Sequence, residues 1–128
     1  MTAHFHPEEF YCRCGRVECE APRAVAPALL YGLEAMRVAY GHPIIVTSGL
    51  RCPLNNQAAG GVADSEHLSG EGADLACGPG GGERFAMVAA ALAAGFRRIG
   101  IGGSFLHVGI GAPPAHVENV MWLYPQAH

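Results

Sequence analysis

Ten consecutive residues, Ser65-Glu66-His67-Leu68-Ser69-Gly70-Glu71-Gly72-Ala73-Asp74, set an imidazole and a carboxylate seven positions apart across a glycine-broken turn. A second isolated imidazole, His107, lies in the apolar run Phe105-Leu106-His107-Val108. Two histidines and one aspartate make a three-ligand set that leaves the fourth position of a tetrahedral zinc ion open. That open position separates catalytic zinc sites from closed structural ones. Gly70 and Gly72 allow the backbone to turn between the loop that carries His67 and a strand that carries Asp74. His107 is expected on a further strand, and strands are rigid platforms for a site of fixed geometry. Each residue alone has a plainer reading: His67 as an exposed loop residue, Asp74 as a turn cap, His107 as a satisfied core histidine.

The bulk properties bound what such a site can belong to. With 128 residues, half of them apolar and 15% charged, the chain is expected to fold as one domain with a modest core. The net charge is -3, and no basic stripe points to a nucleic-acid partner. No apolar run is long enough to span a bilayer. The segment from Met1 to Glu9 is polar, with two histidines and two glutamates. It does not read as a secretory signal, so synthesis in the cytoplasm is expected. A monomer is expected.

Along the chain, residues 1–20 look irregular. The apolar spacing from Pro22 to Tyr40 predicts a helix stopped by Gly41 and Pro43. Ile44 to Ser48 is a β-branched run and reads as a strand. Residues 49–72 are rich in glycine and asparagine and read as a long functional loop with at most a helical turn. Ala73 to Ala76 reads as a second strand. Glu83 to Ala94 reads as a second helix ended by Gly95. Arg98 to Ile101 and Phe105 to Ile110 form a predicted hairpin, and Val120 to Tyr124 a predicted edge strand. The expected class is α+β, a single domain over 1–128 with a small antiparallel sheet and two main helices.

The order Thr47-Ser48-Gly49-Leu50-Arg51, then Asn56, Gly60-Gly61, Ser65-x-His67-x-x-Gly70-x-x-Ala73-Asp74, then Phe105-Leu106-His107-Val108, resembles the D-alanyl-D-alanine carboxypeptidase group of zinc peptidases. Their fold is shared with vancomycin-resistance dipeptidases, phage L-alanyl-D-glutamate endolysins and the hedgehog signalling domain. The likeness runs from about Phe10 to Tyr124 and takes in Cys12-x-Cys14-Gly15 and Trp122-x-Tyr124. It implies zinc held by His67, Asp74 and His107. It implies catalytic roles for Arg51, whose guanidinium would meet a substrate carbonyl or carboxylate, and for Ser65, which supports the loop or contacts substrate. Ser65 reads equally as a helix or turn cap. A peptidoglycan peptide is the implied substrate, reached after phage-type release.

The chain departs from that group at its acids. Many relatives carry Glu or Asp three residues before the last ligand histidine, where this chain has Ser104. Smaller relatives often carry an acid two residues after it, where this chain has Gly109. Glu71, Glu66, Asp64 and His116 are the candidate substitutes. The competing function is therefore a zinc-binding module, catalytically impaired, that recognises cell-wall peptide or a protein partner.

The five cysteines are an odd number, against a fully paired disulfide framework. Cys12, Cys14, Cys19 and Cys52 make a four-thiol set. It can be read as a second metal site, as disulfides such as Cys14 to Cys52, or as free thiols. The spacing Cys-x-Cys-x4-Cys is not the usual paired knuckle, so disulfide or thiol ranks above metal. A thiol-based redox or metal-sensing function rests on these residues alone. Cys77 reads as a buried strand-end thiol, and His4 and His6 as part of a frayed polar terminus.

Overall fold

The computed structural model describes residues 3–16, 19–22, 24–62 and 64–124. Its centre is a five-stranded mixed sheet. In chain order the strands are β1 (Val46–Ser48), β2 (Gly72–Ala76), β3 (Arg98–Ile101), β4 (Phe105–Gly109) and β5 (Val120–Leu123). In space they run β1-β2-β4-β3-β5. The first four pair antiparallel, and β5 lies parallel to β3 at the edge.

The pleat sorts the side chains. Successive residues of a strand point to opposite faces, and the register is set so that each face has one character. Val46, Ala73, Leu75, Ile99, Leu106 and Val108 turn to one face and join the core. Ser48, Asp74, His107, Gly100 and Trp122 form a transverse row on the other, through the pairs Ser48–Asp74, Asp74–His107, Gly100–His107 and Gly100–Trp122. One step along, Gly72, Gly109 and Arg98 make a second row.

Two long helices contribute to the core. Helix α1 (Pro27–Tyr40) buries Leu29, Leu33 and Met36, spaced four and three residues apart on one stripe. Pro27 opens it, where a missing N–H costs nothing, and Gly41 closes it in the left-handed region at φ 78°. The predicted start at Pro22 is therefore five residues early. The backbone before Pro27 is used elsewhere: the Ala26 N–H donates to Gly70 O at 2.8 Å. Helix α4 (Gly81–Ala93) buries Met87, Ala90 and Ala91 and starts two residues before the predicted position.

The long loop is more structured than its composition predicts. It contains two short helices, α2 (Pro53–Ala58) and α3 (Glu66–Ser69). Each is fixed by local chemistry rather than by apolar periodicity. The Cys52 sulfur accepts the Asn55 N–H and Pro53 takes the first position of α2, while the Ser65 hydroxyl accepts the His67 N–H at the head of α3. The predicted strand from Ile44 shortens to Val46–Ser48, with an irregular register between Val46 and Ser48.

The N-terminal segment is docked, against the expectation of fraying. A short 3₁₀ turn, Pro7–Phe10, sits between two buried rings, Phe5 and Phe10, each 1% exposed. His4 bonds Glu34, and the Leu50 N–H donates to Phe10 O at 2.8 Å. Residues 1, 2, 17 and 18 of the predicted irregular segment lie outside the described residues. No helix among the described residues is long and apolar enough to cross a membrane. Phe10→Ala is expected to lower the unfolding free energy by about 3–5 kcal/mol, the usual cost of truncating a buried ring. The check is a shift of the urea midpoint at unchanged slope.

Candidate metal centre and cleft

The three predicted ligands converge. His67 from α3, Asp74 from β2 and His107 from β4 are all buried. One ligand atom of each lies within 4.8 Å of the others. Asp74 Oδ1 is the common point, 3.1 Å from His67 Nε2 and 2.9 Å from His107 Nδ1.

The outer nitrogens decide what the inner ones can do. His67 Nδ1 lies 2.6 Å from Gly49 O. A carbonyl only accepts, so Nδ1 carries the hydrogen and Nε2 presents a lone pair. His107 Nε2 lies 2.9 Å from Glu66 Oε1. That carboxylate accepts as well, so Nδ1 of His107 is the lone-pair side. Two imidazole lone pairs and a carboxylate oxygen thus face one another in a buried space. Protons or a cation reconcile them, and an N₂O set with oriented imidazoles fits a divalent metal of zinc type.

The electrostatics agree. Burial works against charge on Asp74, yet a proton shared with the facing His107 and His67 rings, where no cation takes its place, holds its carboxyl well below the usual range. Burial likewise opposes ionisation of Glu66, and it is outweighed by the His107 hydrogen bond and charge, the Gly111 N–H and Arg98. Burial opposes protonation of His107, but Asp74 and Glu66 raise its pKa. The centre is built to hold positive charge between two ionised carboxylates. A metal bound there displaces a proton.

Arg51 completes the geometry around Asp74. Its guanidinium donates to Asp74 Oδ2 at 3.1 Å, to Ser48 Oγ at 3.1 Å and to Asn56 Oδ1 at 3.3 Å. Asn56 in turn donates to Val62 O at 2.8 Å. Gly61 packs on Asn56 so closely that a Cβ there would lie 2.0 Å from Oδ1. Arg51 is thus half-buried scaffolding for a ligand as well as a cleft residue. Ser65 caps α3 at 3.2 Å from the His67 N–H, which places its hydroxyl in a positioning role at the cleft rim.

Glu66 is the residue whose importance the sequence hid. Both of its oxygens are engaged: Oε1 with His107, and Oε2 with the Gly111 N–H at 2.7 Å and the Arg98 Nε at 3.1 Å. Its carboxylate lies over Gly109, where a Cβ would come within 2.1 Å of Oε2. The acid expected after the last ligand histidine is missing from residue 109, and a carboxylate reaches the same place from α3. Gly72 matters for clearance rather than for a positive φ: a Cβ there would meet His107 Cε1 at 2.7 Å and Glu66 Cβ at 2.8 Å. Arg98 also went unnoticed. Its position in the Gly100 parity of β3 was the available signal.

A cleft of about 540 Å³ opens over this centre, lined among others by Arg51, Asp64, Phe105, Trp122 and Tyr124. Trp122 packs tilted against His107 at 5.6 Å between ring centroids, and Arg98 lies over the indole at 5.1 Å. Burial pushes the Tyr124 hydroxyl pKa up. The remaining predicted acid and base substitutes divide. Glu71 bonds Ser69 at 2.6 Å, is not buried and does not line the cleft. His116 lines the cleft but lies against Asp64 O at 2.7 Å, tying the 112–116 loop to the segment before α3.

The four cysteines Cys12, Cys14, Cys19 and Cys52 also gather, their sulfurs within 4.8 Å of one another. The considered Cys14–Cys52 disulfide is not formed, and none of the five cysteines is in a disulfide. Cys77 is buried just after β2, as expected, and burial raises its pKa.

Comparison with known proteins bears on this geometry. The model of the family described as Peptidase M15 matches residues 3–110. The chain belongs to the Peptidase M15 family. A zinc D-Ala-D-Ala carboxypeptidase of Streptomyces albus G is 40% identical over 65 residues, half of this chain. The match spans only 26% of that protein's length. The chain is thus a zinc-peptidase-like module of the M15 family with a His67/Asp74/His107 metal-binding triad. The strand β5, with Trp122, lies beyond the residues the family model matches.

The overlap of Glu66 with a side chain at 109 has a direct test. Gly109→Asp is expected to destabilise the protein by about 1–3 kcal/mol through overpacking and like charge. Glu66→Ala combined with Gly109→Asp is expected to be more stable than Gly109→Asp alone. A double-mutant cycle by urea unfolding reads this coupling. Additive effects would show that the two carboxylates do not compete for one place.

Proposed function

We propose that the chain is a zinc-dependent peptidase that hydrolyses an amide bond in peptidoglycan peptides, as carboxypeptidase or endolysin. One observation carries the reading: His67 and His107 each have the outer nitrogen tied to an acceptor and the inner one turned toward Asp74 Oδ1. His67 Nε2, Asp74 Oδ1 and His107 Nδ1 would hold the ion. Family membership and the name of the Streptomyces relative support zinc as the metal and a wall peptide as the substrate. Zinc bound there supplies a water of pKa roughly 7 and polarises a carbonyl.

The chain's own residues do the rest. Glu66 holds the His107 ring in one orientation and one tautomer. Arg51 fixes Asp74 and turns a charged planar edge toward the cleft, suited to a carbonyl or terminal carboxylate. Phe105, Trp122 and Tyr124 exclude water from the far wall. The acids that line the cleft are Asp64, Glu66 and Asp74. Glu66 and Asp74 are spent on the centre, whereas the Asp64 carboxylate has no hydrogen bond or ion pair to the described residues. We assign to Asp64 the transfer of a proton from water to the leaving amine.

Purified protein with zinc is expected to release new amines from peptidoglycan or from a D-alanyl-terminated peptide. His67→Ala and Arg51→Ala are expected to abolish that release. Asp64→Asn is expected to lower kcat by about 10²–10⁴-fold, the worth of a positioned acid or base, at unchanged zinc content. Glu66→Gln is expected to weaken zinc about 10–100-fold, as loss of a ligand's orienting partner does. Isothermal titration of the metal-free protein measures the second effect.

A second reading is favoured by the commitment of Glu66. With both oxygens engaged and Gly109 lacking an acid, the module would bind zinc and recognise a wall peptide or protein partner without cleaving it. Zinc near one ion per chain at the triad, with no amine released from any wall peptide, is the outcome that selects it.

A further inference from the structure

The geometry points to a second, structural metal site in which Cys12, Cys14, Cys19 and Cys52 bind one zinc ion as four sulfur ligands, clamping the N-terminal segment to the head of α2. The four sulfurs come from two places far apart in sequence and lie within 4.8 Å of one another. At a zinc–sulfur distance of about 2.3 Å, tetrahedral sulfurs stand about 3.8 Å apart. Mutual proximity of all four fits a tetrahedron. Two disulfides need only two close pairs and give no reason for both pairs to share one place.

The hydrogen bonds around the sulfurs make an independent observation. The Cys12 sulfur accepts from the Cys52 N–H and from Asn55 Nδ2, each at 3.3 Å. The Cys52 sulfur accepts the Asn55 N–H, and the Cys14 sulfur the Arg16 N–H, each at 3.4 Å. N–H groups aimed at sulfur stabilise thiolate, the form that binds metal. Gly15, at φ 72°, makes the reversal that brings the Arg16 N–H back to Cys14.

The site lies directly behind Arg51. Cys52 is the next residue and caps α2, whose Asn56 accepts from the Arg51 guanidinium. A metal here would fix the start of that arm without touching the cleft. Its existence does not rest on the peptidase reading, because the ligand sets share no residue.

Protein purified without chelator is expected to contain two zinc ions per chain. His67→Ala combined with His107→Ala should leave one, and Cys14→Ser combined with Cys19→Ser should also leave one. X-ray absorption of the histidine double variant should show a shell of sulfur alone at about 2.3 Å. Should the serine variants fail to fold, cobalt(II) added to the metal-free histidine double variant reads the same site through a thiolate charge-transfer band. Zinc content unchanged by the serine substitutions overturns the proposal. So does an intact mass short of the fully reduced value by the hydrogens of a disulfide, or an absorption shell of nitrogen and oxygen.

Discussion

Asp74 is the residue on which the centre depends. One oxygen faces both imidazoles, and the other is held by Arg51. A buried carboxylate without partners would be costly. Here its partners come from β4, α3 and the loop after β1, so its charge is the reason those three elements meet at one point. The cross-strand pairing of Asp74 with His107 supplies the contact that cannot slip, because a shift of one residue in either strand would turn its ligand to the core face.

The sheet therefore serves two environments at once. Its apolar face closes on α1 and α4, and its polar face is a graded row running from Ser48 to Trp122. The glycines of the adjoining row are part of this division. Without side chains at 72 and 109, α3 can lie close enough for Glu66 to reach His107. A carboxylate supplied from a neighbouring helix replaces one that would have come from the strand itself.

Much of this was legible in the sequence. The His67–Asp74 spacing and the apolar setting of His107 suggested the three ligands, and the resemblance to the zinc peptidases joined them into one site. The strands and both long helices followed from periodicity. Less legible was whatever depends on a single local bond. The start of α1 is set by Pro27 and by a backbone bond to Gly70, which no apolar pattern announces. Helices α2 and α3 are too short for periodicity and are fixed by caps at Cys52 and Ser65. Glu66 was visible only as one of four acid or base candidates, since its partners Arg98 and Gly111 are distant in sequence. The four cysteines were recognisable as one set from their number and the neighbourhood of Cys52 to Arg51, but their unusual spacing ranked a metal below disulfide or thiol.

The parallel edge strand β5 gives the cleft a direction. Gly100 leaves room beneath the indole, so that Trp122 and Tyr124 lie within 2.7 Å of where its Cβ would stand. A chain laid across the sheet would meet guanidinium first, then the ligand cluster, then aromatic surface. On the proposed reading the two ends of such a guest would not be equivalent: a carboxylate would suit the Arg51 bank, and an apolar side chain the surface of Phe105 and Tyr124 beyond the Arg98-covered indole.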